Sequence, residues 1–387
     1  MKHGIETILQ CPISKSPLSF LNRADLEEIN AGIRAGRFNH LAGMEVTMEL
    51  DAALSSSDGS YIYPVVEGIL ILLAGMAIVP GSNTETGPQH VLPSETRSVM
   101  NFYDQVGWQE TDNNVYADAE RFEDLRPVSS EYIHRCHLRL REHLPRMGRY
   151  ILDAASGPVQ YPEYLTYSHG FAYRICADIS FVALKKAKTK VGEKGIYIQC
   201  DITSLPLKDC SVECFVSLHT IYHVPESKQL TAFHELHRVL RKPGRGVIVY
   251  TWGSASPLMK LLMPWLPVTA AAKRMLKAGL PPLLIEILRR RGKRAPEKKH
   301  APSSTAEPKP YFHPHDYAWY RKEIASRYDC EIACWRSVSV PFLRAYVHER
   351  LFGRGFLSVL FGLENVFPRF FGKYGQFPMI VCAKKEM

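Results

Sequence analysis

Apolar and polar positions change rhythm along this chain, and between Tyr150 and Tyr250 the change is regular. Short, nearly continuous apolar runs lead into acidic or polar residues: Tyr150-Ile151-Leu152 before Asp153, Arg174 to Ala177 before Asp178, Gly195 to Cys200 before Asp201, then Val212 to Leu218 and Gly246 to Tyr250. Runs of this length without alternation predict strands buried on both faces, as in a parallel sheet. Between them the apolar residues recur at helical spacing. Phe181, Leu184 and Ala187 share one helix face, and Glu226 to Leu240 predicts a second helix that Lys242-Pro243-Gly244 breaks. Strand and helix alternate, which predicts an α/β fold. Ahead of this block, Leu26, Ile29 and Ile33 mark a helix over Ala24 to Arg37, and Glu95 to His143 reads as helices and a loop. The longest apolar run, Val65 to Val79, contains Glu67, Gly68 and Gly75; it is too short to span a bilayer and reads as core or strand.

The first run ends in the turn Asp153-Ala154-Ala155-Ser156-Gly157-Pro158. A turn of small residues after a strand lets backbone N–H groups approach a ligand, and a carboxylate at the end of the next strand can grip a ribose diol. Both features point to a nucleoside cofactor. A pyrophosphate at a helix N-terminus needs the three glycines of G-x-G-x-x-G. Here Ala155 and Val159 flank the one glycine, Gly157, which weakens a dinucleotide dehydrogenase reading without removing it, because sheet topology alone does not choose the cofactor.

These strings, LDAASGP, CADIS, CDITSLPLKDCSVECFVSLHTIYHV and HELHRVLRKPGRGVIVY, taken in order over residues 145 to 253, resemble the class I S-adenosylmethionine-dependent methyltransferases in their small-molecule branch. The resemblance implies a Rossmann-like, seven-stranded, mostly parallel sheet with helices on both faces. It further implies that Asp153, Ala155, Ser156 and Gly157 form the cofactor turn, that Asp178 with Ile179 binds the ribose hydroxyls, that Asp201 with the Ile202 backbone holds the adenine amino group, and that Ser217 lines the methionine end. Asn101 to Trp108 resembles the helix that crosses the cofactor, where Phe102, Tyr103 and Trp108 would exclude water. The plain alternative is that each aspartate only caps a helix. Beyond the insertion, the resemblance puts the last helix at Asp316 to Tyr328, strand six at Glu331 to Val340 and strand seven at Met379 to Lys385.

The N-terminal pieces Leu9 to Leu18 and Asp58 to Ile69 resemble the small zinc-ribbon-like fold of the activator subunits of tRNA and protein methyltransferases. A structural zinc takes four soft or imidazole ligands, usually from C-x-x-C pairs. The first pair here reads Cys11 and Ser14, and no cysteine pair lies near Tyr61, so no metal is expected in this α+β module. The chain divides into residues 1–80 as that module, 81–144 as a helical linker and lid, with charge-rich Tyr116 to Pro127 a candidate substrate-side loop, and 145–387 as the methyltransferase domain. An insertion follows strand five at about 254–310 and is expected to be partly helical. A Phe-rich excursion covers about 342–377, where Leu351, Phe352, Leu357, Leu360 and Phe361 at helical spacing predict core or cap.

For catalysis the sequence offers His219, Tyr222 and His223 just after strand four, where this fold places its acceptor. Neutral imidazole is a natural base near neutral pH for a hydroxyl acceptor, and equally a brace for the loop. His219 stands nearer the strand end. The expected reaction is methyl transfer to a small or lipid-linked acceptor, most readily on oxygen; an RNA base methyltransferase and a non-catalytic adaptor with the same fold are the alternatives.

Charge sharpens the picture in one place. Of the formal net charge of +9, a surplus of eight lies between Lys273 and His300, where ten Lys and Arg face only Glu286 and Glu297. Apolar Leu258 to Leu266 and Leu280 to Leu288 adjoin this cluster, a pattern that suits an anionic membrane surface met through residues 258–300. A solvated basic loop has the same composition. Nucleic acid fits less well, since aromatic residues are not interleaved with the basic ones. Nine cysteines without paired spacing predict reduced, buried thiols. The N-terminus shows no basic region followed by an apolar core. Together these predict a cytoplasmic protein, at most peripheral to a membrane.

Overall fold

The structure is a computed structural model that describes residues 4–83, 86–87, 90–112, 115–262 and 309–385. The N-terminal segment builds β1 (Leu18–Phe20), β2 (Phe38–His40), β3 (Ala53–Ser56), β4 (Ile62–Val66), β5 (Ile69–Ile71) and β6 (Ile78–Pro80) around the helix Arg23–Arg34. That helix starts at Asn22, whose side chain accepts from the Asp25 N–H. Ile33 and the partly buried Leu26 and Ile29 pack in a small cluster with Val46, Ile62 and Ile78, the face predicted from their spacing. Between β4 and β5 only Glu67 and Gly68 intervene, both at positive φ, which is a two-residue hairpin turn.

The same hairpin joins the N-terminal segment to the main sheet. β5 pairs parallel with β9 (Gly195–Gln199), Leu70 opposite Ile198, so the sheet extends beyond the seven strands expected. With β7 (Gly148–Ala154), β8 (Phe171–Asp178), β10 (Val212–Leu218), β11 (Leu240–Val249), β12 (Cys330–Arg336) and β13 (Phe377–Lys384), the order is β5-β9-β8-β7-β10-β11-β13-β12. β13 runs antiparallel to both neighbours and the other pairings are parallel. Ile151, Leu152, Ile175, Cys176, Val216 and Ile248 are buried, and their alternate side chains feed two cores, one on each face. From β7 the chain proceeds outward to β8 and β9, then returns to β10 on β7's other side. The crevice beyond the carboxyl ends of β7 and β10 is therefore the topological switch point where ligands of open α/β sheets bind.

Three expectations change in detail. Strand six stops at Arg336, because Ser339 caps a new helix, Val340–Tyr346, by accepting from the Phe342 N–H. Cys330 and Cys382, opposite each other on β12 and β13, are joined in a disulfide, so not every thiol is reduced; Cys176, Cys200 and Cys214 are free and buried as expected. In the excursion the helices Gly353–Val366 and Pro368–Tyr374 follow. Leu357 and Phe361 are buried, whereas Leu351 and Phe352 point outward. The basic cluster Lys273 to His300 lies outside the described residues. Among those described, no helix is long and apolar enough to cross a membrane.

Candidate active site

At the carboxyl end of β7 the chain turns through Ala155 at φ 57°, Gly157 at φ 53° and Val159 at φ 49°. The two residues that replace glycines thus adopt the backbone that glycine would, and the turn keeps its shape at the cost of strain. The Ala155 and Ser156 N–H groups both donate to the Ala177 carbonyl, at 2.7 and 3.2 Å. A side chain at Gly157 would be strained, since its Cβ would lie 3.0 Å from the Trp108 indole, which would have to shift by a few tenths of an ångström, on a backbone at positive φ. Replacing Ala155 by Gly should raise stability by about 1 kcal/mol, the left-handed penalty less glycine's extra chain entropy. Chemical unfolding checks this, and a loss would mean that packing of the Ala155 methyl outweighs the strain. Val159 is no equivalent test because its side chain is fully buried.

One carboxylate braces the turn. Asp178 Oδ2 accepts from the Gly157 N–H and Oδ1 from the Ser180 N–H, each at 2.8 Å, while the carboxylate also borders the cavity. Burial pushes its carboxyl up to about 6. Asp153 is buried and already committed: Arg174 Nε donates to its Oδ2 at 3.1 Å, a second guanidinium nitrogen does the same, and the third reaches the Tyr164 carbonyl at 2.6 Å. Asp201 accepts from the N–H and hydroxyl of Thr203, both at 2.8 Å.

All of these open onto one cavity of about 1250 Å³. Ala155, Ser156, Gly157, Ile179 and Ile202 line it together with the three aspartates. Tyr103 enters from the π-helical turn Tyr103–Gly107, stacked on Trp108 with ring centroids 4.7 Å apart, and the Trp108 indole lies against Gly157 of the turn. Ser217 does not join them. It lies wholly buried inside β10, and the next residues, Leu218, His219 and Thr220, reach the cavity instead.

His219, Tyr222 and His223 also line the cavity, in two different settings. His219 sits at φ 58° with its ring edge-on to Trp335 at 4.6 Å and Phe377 at 5.5 Å. Burial, and then the Arg336 charge, push its imidazole down to about 3. His223 is fixed by hydrogen bonds. Its Nδ1 lies 2.7 Å from the Tyr311 carbonyl, which can only accept, so Nδ1 carries the proton and Nε2 keeps its lone pair toward the Tyr103 hydroxyl 3.4 Å away. Burial pushes this imidazole down to about 4. Position along the chain favoured His219; the contacts favour His223 as an acceptor of protons. Both rings should remain neutral between pH 5 and 8, so their NMR resonances should not titrate there, and a midpoint near 6.5 in either would show that the ring is solvated.

The far wall was not read from the sequence. Trp335 and Arg336 come from the end of β12, Phe377 from the start of β13, and Phe312 from the segment after the insertion. Asp118 and Phe122 come from Tyr116 to Pro127, part of which is the helix Ala117–Phe122 rather than a loop. Burial raises the Asp118 carboxyl to about 6. Arg336 pairs with buried Glu123. Outside the cavity, Glu226, His313 and His315 form the only group of side chains, among those described, close enough together to hold a metal ion. Cys11 accepts from the Ile13 and Ser14 N–H groups at 3.4 and 3.3 Å and contacts the Tyr63 hydroxyl at 3.2 Å.

Residues 152–248 match the family model described as a methyltransferase domain. No curated protein matches the chain. Among solved structures, the chain is similar to a Haloferax volcanii complex between the Trm112 methyltransferase activator and a putative methyltransferase, with 13 % identity over 67 % of this chain and 92 % of that one, TM-score 0.37. It is also similar to phosphoethanolamine N-methyltransferase 1 of Haemonchus contortus, bound to phosphoethanolamine and S-adenosylhomocysteine, with 10 % identity, 77 % and 51 % coverage, TM-score 0.44. A geranyl diphosphate methyltransferase in complex with S-adenosylmethionine shares 13 % identity, with 65 % and 84 % coverage and TM-score 0.37.

Proposed function

We propose that this class I S-adenosylmethionine-dependent methyltransferase methylates a hydroxyl oxygen on a small or lipid-linked acceptor with a largely apolar body. The observation that carries this reading is the single cavity of about 1250 Å³ that runs from the glycine turn to an aromatic wall. Ligand pockets usually hold about 300–1000 Å³, so there is room for a nucleoside cofactor and a second molecule end to end. Phe122, Phe312, Trp335, Phe377 and Val340 give the second half its apolar character. The cofactor supplies an electrophilic methyl on a sulfonium sulfur. Asp178 and Asp201 would hold its ribose and adenine, and Tyr103 and Trp108 would exclude water, leaving orientation as the protein's main contribution. In the transfer, the acceptor oxygen forms the new C–O bond as the S–CH3 bond breaks, and the hydroxyl proton passes to His223 Nε2. The products are a methyl ether and S-adenosylhomocysteine.

The test is a screen of lipid, sugar-lipid and quinone extracts with radioactive S-adenosylmethionine and purified protein. Label should enter an extract and survive mild base, which removes methyl esters but not ethers. With RNA included as a parallel acceptor, label that enters only RNA would overturn the reading and favour the base methyltransferase.

Cofactor affinity gives an independent prediction. Asp178→Ala should weaken S-adenosylmethionine binding by about 1.5–3 kcal/mol through loss of hydrogen bonds to an ionised group, read by calorimetry. The sign of the pH effect follows from the raised carboxyl: above about 6 it is ionised and accepts from a diol, and below that it is protonated, so affinity should fall as pH drops through 6. Unchanged affinity in the variant would leave Asp178 as a cap of the turn alone.

A further inference from the structure

The helix Gly353–Val366 is apolar on two faces. One stripe, Gly353, Leu357 and Phe361, is buried against the body, together with Glu364, which accepts from Tyr132 and Arg139. The other runs Phe352, Phe356, Val359, Leu363 and Val366 at steps of four and three, and every member is exposed, from 44 % at Leu363 to 88 % at Phe352. Leu351, Phe367 and Phe370 continue it at the two ends, each more than half exposed. A water-facing helix ordinarily has one apolar stripe, and contiguous exposed apolar patches mark interaction sites.

The geometry points to this stripe as a docking face for an anionic lipid bilayer, lying in the interfacial plane. Charge selects the occupant. From residue 340 to 374 the basic side chains are Arg344, Arg350, Arg354, Arg369 and Lys373, against Glu349 and the buried Glu364. Arg344 donates to the Glu120 and Glu123 carbonyls on the cavity side, while Arg354 pairs with Glu349 and Arg369 with Glu331 at the surface; the basic surplus that remains at the ends of the stripe matches an anionic surface that takes up apolar side chains. At 14 residues the helix is too short to span a bilayer, which takes about 20. Position gives the second argument. A groove of about 370 Å³ lined by Leu262, Phe342, Tyr346, Val347, Leu351 and Phe356 separates the stripe from the helix Val340–Tyr346. That helix's Val340, Pro341 and Arg344 line the main cavity on its other side. A lipid-linked acceptor would therefore leave the bilayer one helix away from the reacting centre. This last step rests on the acceptor class proposed above, whereas the docking does not.

Flotation of the full chain with vesicles of phosphatidylcholine, with and without phosphatidylglycerol, tests it. Binding should require phosphatidylglycerol. The triple variant Phe352→Ser, Phe356→Ser, Val359→Ser should lose at least tenfold in binding at low and high salt, with an unchanged melting temperature because those side chains are exposed. Arg350→Glu with Arg354→Glu should weaken binding chiefly at low salt, where charge is unscreened. Unaltered binding in the triple variant, or its loss only when Arg289, Arg290 and Arg291 are neutralised, would overturn the proposal in favour of the basic insertion. A dimer in sedimentation that the triple variant dissolves would show that a second copy covers the stripe. Vesicle binding without methylation of any lipid extract would overturn the acceptor reading and leave the docking face standing.

Discussion

Replacing Arg174 with methionine should lower the stability of the fold by about 3–5 kcal/mol, the usual cost of leaving one partner of a buried pair unpaired. Arg174 is 1 % exposed and its guanidinium fills three roles at once: two bonds to Asp153 and one to the Tyr164 carbonyl. Without it, a carboxylate stays buried between β7 and β8, where no other described cation contacts it, and an adjacent carbonyl loses its donor. Arg174→Lys keeps the charge but not the fork, so it should fall between the two. The double variant Arg174→Met, Asp153→Leu should recover most of the loss, because a buried pair replaced by apolar residues of similar size is often neutral. Urea unfolding of the three proteins distinguishes these outcomes. A loss under about 1 kcal/mol for Arg174→Met would mean that the pair contributes little.

Asp153 also shows what the sequence carried and what it did not. The acidic residue before the turn was legible from its place at the end of an apolar run, but its partner lies 21 residues away on the neighbouring strand. An arginine at the start of an apolar run reads as a strand edge, and only the register of β7 on β8 makes it a core residue. The central sheet was readable for the opposite reason: strands buried on both faces leave continuous apolar runs that survive without knowledge of their neighbours. The turn was readable with a gap, since Ala155 and Val159 hide a glycine-like backbone behind side chains that rarely adopt it. Ser217 lies one residue short of the crevice, because the strand carries Leu218 and His219 there. Trp335, Arg336 and Phe377 are not legible as site residues because β12 and β13 fold back after long excursions, and no local period reports a return across the sheet. The outward stripe from Phe352 to Val366 has helical spacing too, and spacing alone does not say which of two apolar stripes is inside.

His223→Gln should slow methyl transfer by about 10²–10⁴-fold while leaving S-adenosylmethionine affinity within about twofold. The range follows from what a positioned base contributes, and the lower end is the better expectation here. An imidazole held down to about 4 must take up a proton against about 4 kcal/mol at pH 7, which limits how much of the transfer it can complete before the C–O bond has formed. The same depression removes one signature of a histidine base: the rate should not fall between pH 8 and 5 through protonation of this ring, since Nε2 already carries a lone pair over that range. Asparagine places its amide where Nδ1 stood and can still donate to the Tyr311 carbonyl, so His223→Asn keeps the segment after the insertion anchored and its rate loss, expected to match that of Gln, reports proton transfer. Tyr103→Phe removes the hydroxyl that shares Nε2 and should change the rate by less than about tenfold. A brace behaves differently. If His223 only holds Tyr311 in place, Asn should preserve the rate, while His223→Ala should lower both melting temperature and cofactor affinity along with it. Retention of more than about a third of the rate in His223→Asn would exclude the base role and move the search for a proton acceptor to Asp118, which lines the same cavity.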